Sequence, residues 1–133
     1  MAYWLMKSEP ESYSWEDLVR DGATEWDGVR NPAARLHLKA MQRGDEALFY
    51  HSGKDKAAVG VMTIARAWRP DGADGSWASV AVAPVAALAR PVTLKDMKAA
   101  PKLAGLEMLR QSRLSVSPVS DEQWAVLMAM AAG

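Results

Sequence analysis

The chain has 133 residues, of which half are apolar and 24% are charged, and its 16 acidic and 16 basic side chains leave no net charge. This size and composition predict a single domain over residues 1–133, and a neutral protein has no general attraction to nucleic acid. With no cysteine, no secretory signal and no apolar run long enough to cross a bilayer, the sequence excludes disulfides and thiolate metal sites. It predicts a cytoplasmic protein without a membrane partner.

Turn and capping residues divide the chain into ten predicted elements. Ser14, Asn31, Thr93 and Ser120 are suited to cap four helices, and Pro32 suits the first helical position after Asn31. In chain order the elements are a strand at 3–8, a helix at 14–20, a helix at 31–41 that closes at Gly44, strands at 46–51, 57–68 and 77–85, a short helix at 93–100, a helix at 103–113, an extended segment at 115–119 and a helix from 120. This order indicates an α+β fold, and we expect a small, strongly bent sheet or partial barrel flanked by helices.

Cationic residues surround the predicted helix start at Asn31. The first turn of a helix has unpaired backbone N–H groups and the positive end of the helix dipole, so it favours anions. Arg30 before this turn and Arg35 within it could hold a phosphate, while Gly28 would let the backbone approach closely. The alternative is ordinary capping, with Arg30 paired to Asp27 or another acid.

Trp26 and Asp27 form a second candidate for recognition chemistry. An indole offers a stacking face worth about 1–3 kcal/mol per nucleic-acid base, and a carboxylate can accept a hydrogen bond from an exocyclic amine. The chain has six tryptophans against one phenylalanine, and each tryptophan suits either a core or a pocket. The alternative is that Trp26 is buried where two helices cross.

Polar residues at other element ends give weaker indications of chemistry. His51 ends a strand and faces a cleft or solvent, and because only His37 accompanies it we expect no metal site. Lys7 and Ser8 place donors at the end of the first strand, but no nucleophile elbow, phosphate loop or zinc motif accompanies them. Six basic residues between 90 and 113, against two acids, permit a basic face or an ordinary solvated surface.

Five short motifs, taken together and in order, resemble the EVE domain family, which is similar to the YTH and ASCH domains of the PUA-like superfamily. The motifs are WLMKSEP at 4–10, WDGVRN at 26–31, FYHS at 49–52, PVTL at 91–94 and RLSVSPV at 113–119. The resemblance implies a PUA-like pseudo-barrel of mostly antiparallel strands flanked by helices. It also implies a non-catalytic domain, without a cofactor, that reads a modified or flipped base of DNA or RNA in an aromatic-lined pocket.

The pocket residues that this resemblance implies come from four parts of the chain. They are Lys7 and Ser8; Trp26, Gly28, Val29, Arg30 and Asn31; Tyr50, His51 and Ser52; and Arg113, Leu114 and Ser115. Trp26 would stack on the base, and Asp27 or Asn31 would read its edge. The phosphates would be received by three arginines, Arg30, Arg35 and Arg113.

The sequence departs from the family pattern at two places. The segment 70–75 is shorter than the insertion of many relatives, and Pro32 stands where relatives often have an aromatic residue.

Two other functions are alternatives to base reading. A small hydrolase of nucleotides or nucleic acid would use Lys7, Asp27 and His51 as acid–base groups. An adaptor would hold a peptide or a small anion in the same pocket. For the base reader the expected partner is nucleic acid, and we expect a monomer.

Overall fold

The computed structural model describes all 133 residues and contains a six-stranded mixed sheet with five α-helices. The strands are β1 (Tyr3–Ser8), β2 (Thr24–Trp26), β3 (Glu46–His51), β4 (Ala57–Asp71), β5 (Trp77–Thr93) and β6 (Val116–Val119), and the helices are α1 (Trp15–Asp21), α2 (Pro32–Ala40), α3 (Leu94–Ala99), α4 (Glu107–Arg110) and α5 (Asp121–Ala132). The strand order is β2-β5-β4-β3-β1-β6, and only the β1–β3 pair is parallel. The predicted α+β fold with mostly antiparallel strands is confirmed.

The predicted capping residues start the helices. The Ser14 hydroxyl accepts a hydrogen bond from the Asp17 N–H at 3.1 Å, and the Asp17 carboxylate accepts one from the Ser14 N–H at 2.9 Å. The same reciprocal arrangement starts α3 and α5. Asn31 caps α2 by accepting from the Ala34 N–H at 2.9 Å. Each cap satisfies backbone donors that the first helical turn leaves without a partner.

Two of the predicted helix boundaries are wrong. The helix expected over 103–113 is replaced by a 3-10 turn at Pro101–Leu103 and the four-residue α4, and Gly105 between them weakens any continuous helix. Helix α2 ends at Ala40, with Met41 in an extended conformation, and Gly44 lies in the turn before β3 at φ +94°.

The strands also differ in extent from the prediction. Both β4 and β5 continue past their predicted ends, and together they form a long hairpin whose pairing shifts register at four points. Such irregularities bend a sheet, as expected for a strongly bent one. Strand β2 was not predicted, because three residues are too short to show an alternating pattern.

The sheet is buried on both faces. Successive β-strand side chains point to opposite faces, so Phe49 joins one apolar cluster, with α1 and α2, while its neighbours Leu48 and Tyr50 join another, with α3 and α5. Leu18 and Leu38 close the first cluster, which we call the α1–α2 face. The second cluster, the α5 face, is covered by the last helix, whose Trp124 and Leu127 are buried.

Candidate functional site

A cavity of about 430 Å³ opens beside the end of β1 and the segment that joins β2 to α2. Its lining residues are Lys7, Ser8, Tyr13, Thr24, Glu25, Trp26, Asp27, Gly28, Val29, Arg30 and Ser115. Eight of them belong to the set expected from the sequence: Lys7, Ser8, Trp26, Asp27, Gly28, Val29, Arg30 and Ser115. The structure therefore gathers the first two motifs and part of the last one around a single opening, which we call the base cavity after the ligand expected from the sequence.

Trp26 belongs both to the core and to the base cavity. Its indole is only 8% exposed, and it packs edge-to-face on Phe49 with ring centroids 5.4 Å apart and an interplanar angle of 82°. The burial expected as the alternative is therefore observed, although Trp26 packs against Phe49 of β3 rather than where two helices cross, and the same residue also lines the cavity. The indole forms a fixed wall of the cavity, because the core prevents it from turning.

The segment after Trp26 is held by the tip of the β4–β5 hairpin. The Gly28 N–H and the Arg30 guanidinium both donate to Asp71 Oδ2, each at 3.0 Å. Gly28 has φ +75°, a conformation that glycine adopts with little strain. The hydrogen bond from Gly28, followed by that from Arg30, keeps the pKa of Asp71 below its ordinary value. Arg30 also lies over Trp77, 5.6 Å from its ring centroid, so this cavity wall is braced from outside.

The start of α2 offers few donors to an anion. The Asn31 side chain accepts the hydrogen bond of the Ala34 N–H, and Pro32 has no N–H group that could bind an anion. Arg35 donates a hydrogen bond to the Ser76 carbonyl at 3.0 Å, and its guanidinium carbon lies 5.0 Å from the ring centroid of Trp77. Neither Asn31 nor Arg35 lines the base cavity. We expected the N–H groups of the first turn of α2 and the Arg35 guanidinium to bind a phosphate. Most of these donors are absent or already bonded within the protein.

Lys7 and Arg30 are the two cations that line the base cavity. The Lys7 Nζ donates to the Ser112 carbonyl at 2.9 Å and lies 5.9 Å from the Tyr50 ring centroid. Burial lowers the pKa of Lys7 from its ordinary value. The neighbouring Ser8 hydroxyl donates to the Tyr13 carbonyl at 2.7 Å, which fixes the loop before α1 against the end of β1.

Tyr50 and Ser52 lie at a different opening, a cleft of about 300 Å³ on the other side of Lys7. The residues around it are Lys7, Tyr50, Ser52, Gly53, Lys56, Leu94, Lys98, Met108, Leu109 and Ser112. Burial raises the pKa of the Tyr50 hydroxyl. The third motif therefore does not form a wall of the base cavity as expected, and Lys7 is the residue that the two openings share.

His51 is a structural residue in this fold. It is 5% exposed, and its Nε2 accepts the Trp15 N–H at 3.0 Å while Nδ1 lies 3.1 Å from Asp55 Oδ2. Since Nε2 is an acceptor, the proton is on Nδ1 and is donated to Asp55. His51 lines neither opening, so the trio of Lys7, Asp27 and His51 is not brought together.

The other two residues of the last motif also lie apart from the base cavity. Leu114 is buried in the α1–α2 face, and Arg113 is exposed without lining either opening. Sequence reasoning missed three lining residues: Tyr13, Thr24 and Glu25. The position of Thr24 and Glu25 directly before Trp26 was the available signal, and Tyr13 similarly precedes the helix cap Ser14.

Glu25 carries a fixed negative charge beside the base cavity. Arg66 donates to its two carboxylate oxygens at 2.8 and 2.6 Å, and Ser79 donates at 2.5 Å. The hydrogen bonds from Arg66 are the main reason that the pKa of Glu25 falls to about 2.

The molecule contains no cluster of three potential metal-ligating side chains, and none of its helices combines the length and apolarity needed to span a bilayer.

Solved structures with this architecture define its class. A Rhodopseudomonas palustris protein determined by NMR is 44% identical, with a TM-score of 0.93, covering 98% of this chain and 93% of the other. Human THYN1, crystallised in complex with DNA containing 5-methylcytosine, is 31% identical with a TM-score of 0.93, covering 100% and 99% of the two chains. The YTH domain of Zygosaccharomyces rouxii MRB1, in complex with N6-methyladenosine RNA, shares only the fold, at 13% identity and a TM-score of 0.63 over 98% and 86%. The protein is therefore an α+β domain with the architecture of human THYN1 and of this YTH domain.

Sequence comparison identifies the family within that class. The EVE domain model matches residues 2–130. Thymocyte nuclear protein 1 of mouse is 34% identical over 96% of this chain and 73% of the relative, and the human protein is 32% identical over 97% and 73%. The chain belongs to the EVE domain family, as its five motifs predicted.

Proposed function

We propose that this protein binds DNA and holds a modified base, of the 5-methylcytosine kind, in the base cavity. The observation that carries the proposal is the match to human THYN1, which was crystallised with DNA containing 5-methylcytosine and has a TM-score of 0.93 over the whole of this chain. The base cavity supports it, because that cavity is lined by the WDGVRN motif and the end of β1.

The chemistry of the lining suits a flat, methylated pyrimidine. Trp26 and Val29 supply apolar surface for a ring and its methyl group, and Tyr13 supplies a second aromatic wall. The Asp27 carboxylate can accept a hydrogen bond from an exocyclic amine, and the Lys7 ammonium can donate to a ring carbonyl. Extruding a base from a duplex costs a few kcal/mol, which contact with the aromatic walls must offset.

The proposed recognition involves no covalent step. The hydrolase considered from the sequence requires Lys7, Asp27 and His51 at one place, and both ring nitrogens of His51 are engaged by Trp15 and Asp55 instead. No contact in the structure favours the adaptor, which would hold a peptide or a small anion in this cavity.

Binding of matched duplexes tests the proposal. One duplex carries a single 5-methylcytosine, the other carries cytosine at the same position, and affinities are measured by calorimetry. We expect the wild-type protein to prefer the methylated duplex and Asp27→Asn to reduce that preference severalfold, because the amide replaces the carboxylate acceptor with little change of shape.

The matched control is Asp121→Asn, which alters an exposed carboxylate on α5 that does not line the base cavity. Equal wild-type affinities for the two duplexes would disprove the proposed selectivity. An unchanged preference in Asp27→Asn would remove Asp27 from the recognition.

A further inference from the structure

The cleft on the other side of Lys7 is lined by lysines and by no acid. Lys7, Lys56 and Lys98 surround it, and a neighbouring hollow of about 450 Å³ shares Lys56 and Lys98 with it. That hollow adds Lys54 and Lys95, and its one acidic residue is Asp55, which is bonded to His51. We call the two connected hollows the lysine cleft.

The positive charges of the lysine cleft outnumber its single negative charge, that of Asp55. The molecule has six ion pairs between charged side chains, and the cation is an arginine in every one of them, never a lysine. Five lysines thus face one region of a protein whose formal net charge is zero. Such a local concentration of like charge attracts a polyanion even where the whole molecule does not.

The lysine cleft also contains a polar group set into its floor. Tyr50 is 3% exposed, and burial alone, with no hydrogen bond, accounts for the raised pKa of its hydroxyl. The Lys7 ammonium lies 5.9 Å from the Tyr50 ring. Because Tyr50 and Lys7 both line this cleft, a neutral hydroxyl donor and a cationic ammonium donor are available to an oxyanion there.

Lys7 connects the lysine cleft to the base cavity. It is at the carboxyl end of β1, beside Tyr50 at the carboxyl end of β3, and it lines both openings. Because Lys7 lines both openings, a nucleotide whose base enters the base cavity can place its backbone at the lysine cleft. A chain of phosphates is therefore a better match for the lysine cleft than an isolated anion or an acidic peptide.

We propose that the lysine cleft binds the phosphodiester backbone of the same DNA whose modified base occupies the base cavity. This inference rests on the proposed function, and it assigns separate tasks to the two openings. The base cavity supplies selectivity, while Lys56 and Lys98 supply affinity that does not depend on the base. Phosphate contacts of this kind position a duplex and make its binding depend on salt.

Two variants remove charge from the lysine cleft without disturbing the core. Lys98→Gln changes an exposed side chain. Lys56→Gly removes an ammonium from a residue with φ +45°, a conformation that glycine adopts more readily than lysine, so its melting temperature should not fall. Lys102→Gln is the matched control, since this exposed lysine lines neither the lysine cleft nor the base cavity.

The experiment measures affinity for the methylated and unmethylated duplexes over a series of salt concentrations. Each variant in the lysine cleft should weaken binding to both duplexes by the same factor and reduce the slope of log K against log salt by about 0.9. The preference for the methylated duplex should stay as in the wild type, and Lys102→Gln should behave as the wild type.

The two proposals fail in different ways. If Lys56→Gly and Lys98→Gln match Lys102→Gln while Asp27→Asn still loses selectivity, the base cavity stands and the lysine cleft is disproved as a phosphate site. If the wild type shows no selectivity but the lysine variants lose affinity and salt dependence, the lysine cleft stands and the base-reading function is disproved. Polyglutamate serves as a non-nucleic polyanion in the same assay. If the protein binds polyglutamate but neither duplex, the nucleic-acid assignment of the lysine cleft is overturned.

Discussion

Gly60 of β4 lies in close contact with Trp15 of α1. A Cβ atom at this position would lie 2.5 Å from two carbon atoms of the Trp15 ring, nearer than real side chains approach one another. Trp15 is itself 7% exposed and packs on Phe49, so it has little freedom to move away. The absence of a side chain at Gly60 therefore determines how the first helix docks on the sheet.

We expect Gly60→Ala to destabilise the protein by about 1–3 kcal/mol, because an added methyl group overpacks a filled core. Chemical denaturation measures the change. Gly105→Ala is the control, since its Cβ would come no nearer than 3.8 Å to Gln123 Nε2. Equal stability of the two variants would show that Trp15 can move at little cost.

His51 shows why a residue type alone does not reveal a role. A histidine at a strand end beside a pocket motif suggests a binding or acid–base group, and the sequence offered no sign of its partners. The fold gives it Trp15 N–H, 36 positions away, and Asp55, four positions away. The imidazole of His51 accepts the N–H of Trp15, the first residue of α1, as a capping side chain would. Local sequence rules for helix caps do not include a partner so distant in the chain.

At the scale of elements, Glu25 joins three strands through its side chain. It belongs to β2 and receives hydrogen bonds from Arg66 of β4 and Ser79 of β5. Those bonds lower its pKa from 4.5 to about 2. A carboxylate with a depressed folded-state pKa stabilises the fold above its unfolded pKa, and this contribution is lost as the pH falls toward the folded value.

We therefore predict that wild-type stability decreases between about pH 4.5 and pH 2 partly because of Glu25, by about 1–3 kcal/mol since the side chain is partly exposed. Glu25→Gln should be less stable at neutral pH and should lose less stability on acidification. Thermal melts at a series of pH values measure both effects, with Glu11→Gln, an exposed loop position, as the control. Parallel pH profiles for the wild type and Glu25→Gln would contradict the assignment.

Helix starts were predictable from the sequence, whereas the supports of the site were not. A cap depends on residues three positions apart, such as Ser14 with Asp17, so four letters of sequence contain the signal. The brace from Asp71 to Gly28 joins positions 43 apart, and the bond from Lys7 to Ser112 spans 105. Motif spacing carries no information about such pairs until the strands are in register.

The same distinction explains the division of the predicted pocket. Motif resemblance placed Lys7, Trp26 and Tyr50 around one opening, but the pleat of the sheet sends Tyr50 to the α5 face and Phe49 to the other. Because both faces of β3 are buried, its four middle residues, 47–50, are all apolar or aromatic and show no alternation to reveal the choice. A sequence argument could find the site residues without assigning them to openings.

For the whole molecule, two separate cores on one sheet mean that damage to one face need not reach the base cavity. Leu127 is fully buried in the α5 face, whereas Trp26 and the base cavity belong to the α1–α2 face. We expect Leu127→Ala to destabilise the protein by about 2–5 kcal/mol while leaving selectivity for the methylated duplex unchanged below its unfolding temperature.

Denaturant titration and duplex binding of the same protein check this prediction. Met128→Ala, at a half-buried position of the same helix, should cost clearly less stability than Leu127→Ala. Loss of selectivity in folded Leu127→Ala would show that the two faces are coupled through the sheet.

The position of β1 inside the sheet, rather than at its edge, has a consequence for detecting any ligand of Lys7. This strand is paired on both sides, with β3 and β6, so the amide protons of Leu5 and Met6 should exchange with deuterium only when the entire chain opens. A molecule bound at Lys7 would slow that exchange in proportion to its occupancy. Isotope uptake at two buried amides could thus rank candidate DNA sequences without labelling the DNA.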